Sequence, residues 1–359
     1  MSGFWKGKKV LLTGHTGFKG SWLSIWLKSM GADIVGVSIA PPTTKNLFEE
    51  ANVALGMRSI HCDVRDKEKL KDIFREEMPE IVFHLAAQPL VRYSYRNPVE
   101  TYETNVMGSL NILESIRFAG SVRSVVMVTT DKCYENKEWC WGYREDEPMG
   151  GFDPYSSSKA CAELLTASYR NSYFHPDKYS EHQTAIATVR AGNVIGGGDW
   201  AQDRLLPDMI KSFELNEVVN IRNPFSIRPW QHVLEPLAGY MCLAQKMYDN
   251  GSEFSEAWNF GPLDEDSKSV AWIADRMVSL WGEGRWQKEG GAEKVHEASY
   301  LKLDCSKAKA RLGWASVWNL NEALVKIVDW HKRAASGEDL NDVCLEQINL
   351  YLNDVVDVN

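Results

Sequence analysis

Near its N-terminus the sequence reads KVLLTGHTGFKGSWLSIWL over residues 9–27. Residues 9–13 are mostly apolar and predict a buried strand, and the apolar positions from Trp22 onward recur at helical spacing. Between them the glycines follow the pattern G-x-x-G-x-x-G. A glycine turn between a strand and a helix lets the backbone approach a pyrophosphate at the helix N-terminus. The stretch therefore predicts a dinucleotide site that includes Gly14, His15, Thr16, Gly17, Phe18, Lys19 and Gly20.

Further apolar runs predict a parallel sheet. They lie at residues 34–39, 59–62, 81–87, 125–130 and 184–189, and helical segments separate them. This alternation is typical of α/β proteins, so we expect a Rossmann-type doubly wound parallel sheet over residues 1–190. Residues 191–359 are expected to form mainly a smaller α/β substrate domain, with some segments returning to the main sheet.

The ends of these strands supply further cofactor contacts. Asp63 follows the third strand, where a carboxylate meets the adenine amino group. The fourth strand finishes in small residues that allow close approach of a cofactor. The second strand lacks the acidic residue that usually binds the adenosine ribose, so its end does not decide between NAD and NADP. The cofactor contacts expected beyond the glycine turn are Asp63, Val64, Leu85, Ala86, Ala87, Asn105, Thr129, Tyr155 and Lys159.

The chemistry is expected where the strand at residues 125–130 ends. Asp131 and Lys132 follow it, and a buried strand would not tolerate them in its interior. Further on, Asp153 and a proline predict the start of a helix that carries Tyr155 and Lys159 on one face. An ammonium group beside a phenol lowers the pKa of the phenol toward the working pH.

Composition limits the classes of partner. Of 359 residues, 44% are hydrophobic and 25% are charged, as in soluble globular proteins. A net charge of −9 and the lack of Lys/Arg runs argue against nucleic acid as the main partner. No apolar run approaches the roughly 20 residues that cross a bilayer, and no signal-peptide core follows the N-terminus. Seven irregularly spaced cysteines predict reduced thiols, a cytoplasmic protein and no metal site.

Together these motifs resemble the extended short-chain dehydrogenase/reductase family, and within it the nucleotide-sugar 4,6-dehydratases. The active strand of those enzymes typically ends Ser/Thr-Thr-Asp-Glu, where this chain has residues 129–132. The strings GGDW at 197–200 and RPWQHV at 228–233 carry the same resemblance. It implies a tightly bound NAD that is recycled in each turnover, a nucleotide-sugar substrate and a role in deoxysugar and lipopolysaccharide O-antigen biosynthesis. It also implies a homodimer or homotetramer that pairs through the helices containing Asn105 and Tyr155.

The resemblance further implies roles for the catalytic residues. Tyr155 removes the proton of the sugar 4-hydroxyl group, which Thr130 holds, while hydride leaves C4 for the cofactor. Asp131, as a protonated acid, assists departure of the 6-hydroxyl group. Lys132 stands where most of these enzymes have the glutamate that takes the C5 proton. Lys132 must be neutral to do so, and Glu135 is the competing base; alternatively, Lys132 only orients Asp131.

Substrate contacts are expected from residues in the second half of the chain. Arginine suits a diphosphate because it offers several donors in one plane. The residues expected to bind substrate are Asn193, Arg204, Arg228 and His296, the last of which precedes a strand expected at residues 300–304. Residues 138–149 are a candidate lid over the sugar, an ordered surface loop or a subunit contact.

Two other functions use the same scaffold. A nucleotide-sugar 4-epimerase or reductase keeps Tyr155 and Lys159 but needs no acid to expel the 6-hydroxyl group. Asp131 directly after Thr130 therefore favours dehydration. A cofactor-binding regulator without catalysis is expected to lose the tyrosine, the lysine or the strand-end acid, and this chain keeps all three. The residues alone determine neither the nucleobase nor the final deoxysugar.

Overall fold

Short apolar segments form the strands, because a parallel strand with helices on both faces buries both of its sides. The computed structural model describes residues 2–290 and 300–358. Its strands are β1 Lys9–Thr13, β2 Asp33–Ser38, β3 Arg58–His61, β4 Ile81–His84, β5 Ser124–Val128, β6 Ala185–Ala191, β7 Asn193–Ile195, β8 Val218–Ile221, β9 Ile227–His232, β10 Ala257–Phe260, β11 Ser267–Ser269 and β12 Arg285–Lys288.

Helices follow most of these strands and cover the sheet. They are α1 Ser2–Trp5, α2 Phe18–Ser29, α3 Leu47–Glu50, α4 Lys67–Glu77, α5 Val91–Arg96, α6 Pro98–Tyr102, α7 Gly108–Ala119, α8 Pro154–Ser172, α9 Tyr179–His182, α10 Leu205–Glu214, α11 Leu234–Asn250, α12 Val270–Trp281, α13 Leu320–Ala335 and α14 Leu340–Val358. Short 3₁₀ or π turns lie at Glu103–Met107, Asp131–Cys133, Pro176–Lys178, Gly251–Phe254, Asp264–Asp266 and Ala308–Leu312.

The main sheet has seven parallel strands in the order β10-β6-β5-β4-β1-β2-β3. The chain builds outward from β1 toward β3, then returns beside β1 and builds the other way from β4. This reversal is a topological switch point, and ligands of open α/β sheets bind outside the carboxyl ends of the strands there. The expected doubly wound parallel sheet is confirmed.

The second half of the chain adds a strand to the main sheet and also forms two small sheets. Strand β10 returns to the main sheet beside β6, while two small sheets, β11-β9-β7 and β12-β8, lie outside it. Helix α11 packs on β5 and β6, and α14 packs on α2. The division near residue 190 remains a prediction. Within the described ranges, no helix combines the length and apolar character needed to cross a bilayer.

The prediction of a strand at residues 300–304 is wrong. Tyr300 pairs with Ile227 and Leu303 pairs with Tyr143, each as an isolated bridge. Because the two bridges join different segments, no continuous ladder forms. The segment instead ties β9 to the loop that contains Tyr143.

Candidate functional site

The glycine turn at residues 14–20 lies at the carboxyl end of β1, where two glycines have no room for a side chain. Gly14 has φ +76°, and a Cβ there would lie 2.7 Å from the backbone nitrogen of Ala86. A Cβ on Gly20 would lie 2.1 Å from the carbonyl oxygen of Gly14. The turn therefore packs directly on the end of β4 and on the start of α2. Such a bare backbone cradle at a helix N-terminus fits the pyrophosphate of a dinucleotide.

Polar contacts hold the end of β4 next to this turn. The Ala86 N–H donates to the Thr13 hydroxyl group over 3.2 Å. Asn105 accepts a hydrogen bond from Gln88 N–H and donates to the Gln88 carbonyl oxygen, at 2.8 and 3.0 Å. Its amide also donates to the Ser158 hydroxyl group on α8, at 2.9 Å. Asn105 thus joins the loop after β4 to the helix that carries Tyr155.

Other predicted cofactor residues form contacts within the protein. The ring of His15 is buried and forms a 2.7 Å hydrogen bond with the hydroxyl group of Ser59, next to β2 and β3. Burial lowers the pKa of His15 to about 4, so the ring is neutral at pH 7 and adds no charge for a phosphate. At the end of β3, the carboxylate of Asp63 accepts bonds from the Arg65 guanidinium group, at 2.7–3.1 Å.

The end of β5 carries the expected acid. Beyond β5 the chain turns through one 3₁₀ turn at Asp131–Cys133, and Thr130 is its N-cap. The Thr130 hydroxyl group donates to one carboxylate oxygen of Asp131 over 3.0 Å. Asp131 is buried, and this burial raises the pKa of its carboxyl group, while the charges of Lys132 and Arg228 oppose the rise. A raised pKa suits a carboxyl group that must donate a proton.

Helix α8 begins as its sequence predicts. Asp153 accepts a 3.0 Å hydrogen bond from the backbone N–H of Ser156, and a proline occupies the first turn. The aspartate accepts from one of the unpaired N–H groups of the helix N-terminus, and the proline has no N–H that needs a partner. Tyr155 and Lys159 follow on the buried face of the helix. The Lys159 ammonium group donates to the Val128 carbonyl oxygen over 3.1 Å, which joins α8 to the end of β5.

The protein alone does not produce the expected pKa of Tyr155. Burial raises it to about 12, and the effects that oppose burial are a hydrogen bond with Thr130 and the charge of Arg204. Lys159 is not among the largest effects on the pKa of Tyr155. In the protein by itself burial outweighs the effects that lower this pKa, and the contribution of Lys159 stays a prediction. Burial, followed by the charge of Lys19, lowers the pKa of Lys159 to about 8.

A cleft of about 310 Å³ opens beside these residues, and ten of the predicted site residues line it. Thr130, Asp131, Lys132 and Tyr155 line one wall. The predicted site residues that also line this cleft are Phe18, Lys19, Thr129, Asn193, Arg204 and Arg228. The cleft thus places cations beside an acid and a phenol, as a sugar diphosphate requires.

The positions of two predicted features relative to the cleft bear on their roles: the candidate C5 bases and the loop at residues 138–149. Lys132 lines the cleft, whereas Glu135 is exposed outside it, with its backbone N–H bonded to the Pro148 carbonyl oxygen. The position of Glu135 therefore disfavours it as the C5 base. The loop at residues 138–149 does not line the catalytic cleft either. Trp139, Trp141 and Arg144 face a separate cavity, so the lid expectation is not supported.

Several residues that line the cleft were not predicted from the sequence. Asp199 accepts a 2.8 Å bond from Arg204 and so orients that guanidinium group toward Tyr155. Arg222 and Asp208 also line the cleft, and burial raises the pKa of Asp208 to about 6. Asp199 lies in the quoted GGDW string, so its acidic residue offered a signal. Arg222 and Asp208 occur in segments with no distinctive motif.

His296 lies outside the described residues, so its predicted role stays a prediction. Within residues 2–290 and 300–358, no three His, Cys, Asp or Glu side chains cluster as metal ligands.

A glycine turn at the switch point of a parallel sheet, beside a helix with Tyr155 and Lys159, defines an extended short-chain dehydrogenase/reductase. A family model described as GDP-mannose 4,6 dehydratase matches residues 11–327, and the chain belongs to that family. The chain is 56% identical over 350 residues to the CDP-glucose 4,6-dehydratase of Salmonella typhimurium, and the match covers 98% of each protein.

Solved structures agree with this membership. The dTDP-glucose 4,6-dehydratase of Bacillus anthracis, in complex with NAD, superposes with a TM-score of 0.75 at 19% identity and covers 91% of this chain and 97% of that one. MoeE5, in complex with UDP-glucuronic acid and NAD, has a TM-score of 0.75 at 25% identity and covers 91% of this chain and 99% of that one.

Proposed function

We propose that this protein is an NAD-dependent hydro-lyase that converts CDP-D-glucose to CDP-4-keto-6-deoxy-D-glucose. The observation that carries the proposal is the shared cleft of Thr130, Asp131, Lys132 and Tyr155. The 56% identical CDP-glucose 4,6-dehydratase supports the choice of reaction and of nucleobase. The product is a precursor for deoxysugars of polysaccharides such as lipopolysaccharide O-antigen.

The glycine turn and Ala86 fit a dinucleotide, because they form a bare backbone cradle at the switch point between β1 and β4. When bound, the nicotinamide accepts hydride from C4 and returns it to C6, so the reaction needs no external oxidant. Tyr155 takes the proton of the 4-hydroxyl group, and Thr130 holds that group. The hydrogen bond with Thr130 and the charge of Arg204 oppose the effect of burial on the pKa of Tyr155, and the positive charge of a bound nicotinamide would act in the same direction.

The 4-ketone acidifies the hydrogen on C5, and a base in the cleft then removes it. We assign this base to Lys132 in its neutral form, because Glu135 lies outside the cleft. The ammonium group formed in this step can return a proton to C5 when hydride is added to C6. Asp131 donates its proton to the departing 6-hydroxyl group, which leaves as water. Burial keeps Asp131 protonated to a higher pH than a free carboxyl group. Arg204 and Arg228 pair with the diphosphate.

Incubation with CDP-, dTDP-, UDP- and GDP-glucose, with and without added NAD, tests the reaction and its nucleobase. We expect the 4-keto-6-deoxy sugar, identified by NMR, to form fastest from the CDP sugar. A 4-epimerase gives galactose-configured product with C6 still hydroxylated. A cofactor-binding regulator gives no product from any of the four sugars.

The protein also exposes an apolar surface on the helices that hold Asn105 and Tyr155. Val99, Met107 and Leu164 are all exposed there. We propose that a second copy of the chain covers this surface in a homodimer, which further contacts extend to a homotetramer. Leu164→Glu places a charge in that interface, so light scattering should report monomers. A variant with the mass of the wild-type assembly would contradict this surface.

All seven cysteines are unpaired thiols in this structure. Free thiols persist in reducing compartments. We therefore place the protein in the cytoplasm, where nucleotide sugars are made, and fractionation of cells that express it tests the placement.

A further inference from the structure

A buried polar cluster lies behind the catalytic cleft, and the proposed mechanism does not use it. Its centre is the carboxylate of Glu163, one turn beyond Lys159 on α8. One oxygen accepts a 2.5 Å hydrogen bond from the Thr129 hydroxyl group. The other accepts from the Thr188 hydroxyl group at 2.7 Å and from the Arg190 guanidinium group at 2.9 Å.

The ion pair between Glu163 and Arg190 is costly to bury. Each side chain is only 4% exposed. A buried ion pair often contributes no net stability relative to apolar side chains of similar volume, because both charges lose their hydration. Its presence under the cleft is therefore not explained by stability alone. Such pairs are best accounted for when they fix one arrangement of the groups around them.

The groups around this pair flank the catalytic segment, which we define as residues 130–132. Glu163 holds Thr129, immediately before the segment. Arg190 donates a 2.7 Å hydrogen bond to the phenol of Tyr134, two residues after the segment. It also donates to the carbonyl oxygen of Glu145 at 3.0 Å. The pair thus binds both ends of the segment that carries the acid and the proposed C5 base.

The cluster extends beyond Tyr134 to the outer sheet edge. The Tyr134 phenol donates to the side-chain oxygen of Asn259 on β10 over 2.7 Å. The amide of Asn259 in turn donates to the carbonyl oxygens of Tyr143 and Asp304, at 2.8 and 3.1 Å. Each end of the catalytic segment is therefore tied to a rigid element, the helix α8 on one side and the sheet on the other.

We propose that Glu163 and Arg190 are positioning residues that hold the catalytic segment in register with Tyr155 on α8. This role rests on the proposed dehydration, because it requires Asp131, Lys132 and Tyr155 to face one sugar. Tyr155, Lys159 and Glu163 occupy successive turns of the same buried helix face. A change at Glu163 therefore alters the distance between the phenol and the acid without touching substrate.

The electrostatics agree with this placement. The negative charge of Glu163 raises the pKa of Lys159, against the lowering effects of burial and of Lys19. The charge of Arg190 keeps the pKa of Glu163 below its ordinary value in spite of burial. Glu163 therefore stays ionised and favours the ammonium form of Lys159.

The test must distinguish a loss of activity caused by displaced catalytic residues from one caused by unfolding. Glu163→Leu combined with Arg190→Met removes both charges and keeps an apolar volume, so the fold should survive. We expect a melting temperature near that of the wild type, a KM for the nucleotide sugar within twofold and a kcat lower by about 10²-fold, because a displacement of about 1 Å costs that much. Tyr134→Phe keeps the ion pair and loses the two hydrogen bonds of the phenol, with Arg190 and with Asn259, so its kcat should fall less while KM stays constant.

Arg170→Met is the matched control. Arg170 is also buried on α8, but it donates to the Ser255 carbonyl oxygen and to neither end of the catalytic segment. We expect this variant to melt earlier and to keep the wild-type kcat. A folded double variant with wild-type kcat overturns the proposal. If the double variant does not fold, an unchanged kcat in Tyr134→Phe overturns it instead. A wild-type protein that turns over no nucleotide-glucose overturns the proposed function and this role together.

Discussion

The hydroxyl group of Thr130 donates a 3.0 Å hydrogen bond to one carboxylate oxygen of Asp131. The other oxygen of Asp131 is buried and, among the residues that the structure describes, has no hydrogen-bond partner. A buried carboxyl oxygen without a donor is more stable when it carries a proton. The bond from Thr130 therefore holds one oxygen of Asp131 in place, and the burial of the other oxygen favours the protonated form of the acid.

Asp131→Asn removes that proton while it preserves the shape of the side chain. We expect the overall rate of dehydration to fall by about 10²–10⁴-fold, the usual contribution of a general acid. Oxidation at C4 depends on Tyr155 and Thr130, so it should persist. Single-turnover absorbance of the reduced nicotinamide, with NMR of the products, measures the two steps separately. Wild-type rates of product formation in this variant would remove Asp131 from the mechanism.

The same acid predicts a pH dependence. Asp131 must be protonated to act, so kcat should fall as the pH rises through its pKa. Burial raises that pKa, which places the fall at a higher pH than for a free carboxyl group. The pH profile of kcat for the wild type measures this limb. A profile that is level across the range where buried carboxyl groups titrate would show that ionisation of Asp131 does not limit turnover.

The identity of the C5 base can be decided by a pair of variants. Lys132 lines the cleft and Glu135 does not. In Lys132→Ala we expect no dehydration, although C4 oxidation remains detectable. In Glu135→Ala we expect turnover close to that of the wild type. Reactions in deuterated water measure removal of the C5 proton directly, because the proton that returns from solvent labels C5 of the product with deuterium.

The two candidate roles of Lys132 give different results in that experiment. If Lys132 only orients Asp131, the alanine variant still exchanges the C5 hydrogen but expels water slowly. If it is the base, exchange stops. Turnover unchanged in Lys132→Ala and lost in Glu135→Ala would reverse the assignment.

Local signals in the sequence predicted much of the fold. β1 occupies the predicted residues, and α8 begins after the predicted N-cap Asp153. Both depend on neighbouring residues: an apolar run for the strand, and a capping side chain with a proline for the helix. The position of β10 beside β6 depends on packing between distant segments, and the sequence pattern indicates only that some later segments return to the main sheet.

The site was predicted less completely, because long-range pairing redirects side chains. His15 belongs to the glycine turn, yet its ring turns away to Ser59. Glu163 and Arg190 lie 27 residues apart and meet only when α8 packs on β6. No local pattern in the sequence indicates that these two residues pair. The spacing of Lys159 and Glu163 indicates only that Glu163 lies one helical turn from Lys159, on the same face of α8.

Gly20→Ala tests the cradle of the glycine turn. The new Cβ would lie 2.1 Å from the Gly14 carbonyl oxygen and 2.7 Å from the Cα of His15. Both neighbours are backbone atoms, so α2 must shift. We expect the free energy of unfolding to fall by about 1–3 kcal/mol, as for other overpacked sites, and the affinity for NAD to fall with it. Gly3→Ala is the control, because no described atom lies within 4 Å of its Cβ position. Wild-type affinity for NAD in Gly20→Ala would place the cofactor elsewhere.

Glu235 predicts how stability depends on pH. It is buried in the first turn of α11, where it accepts hydrogen bonds from the backbone of Val317 and Trp318 and from the Tyr351 phenol. Burial nevertheless raises its pKa from 4.5 to about 7. The folded protein therefore binds more protons than the unfolded chain between these pH values. Its free energy of unfolding should fall by about 3 kcal/mol as the pH rises from 4.5 to 7, and this contribution should then stay level.

Glu235→Gln isolates this contribution, because the amide does not titrate. Denaturant unfolding at several pH values should show the difference in stability between wild type and variant shrinking as the pH rises toward 7. The exposed Glu181→Gln provides the control for the loss of a surface carboxylate. If the difference for Glu235→Gln is constant, the carboxylate is already ionised at pH 4.5, and its hydrogen bonds to the 317–318 backbone outweigh the cost of burial.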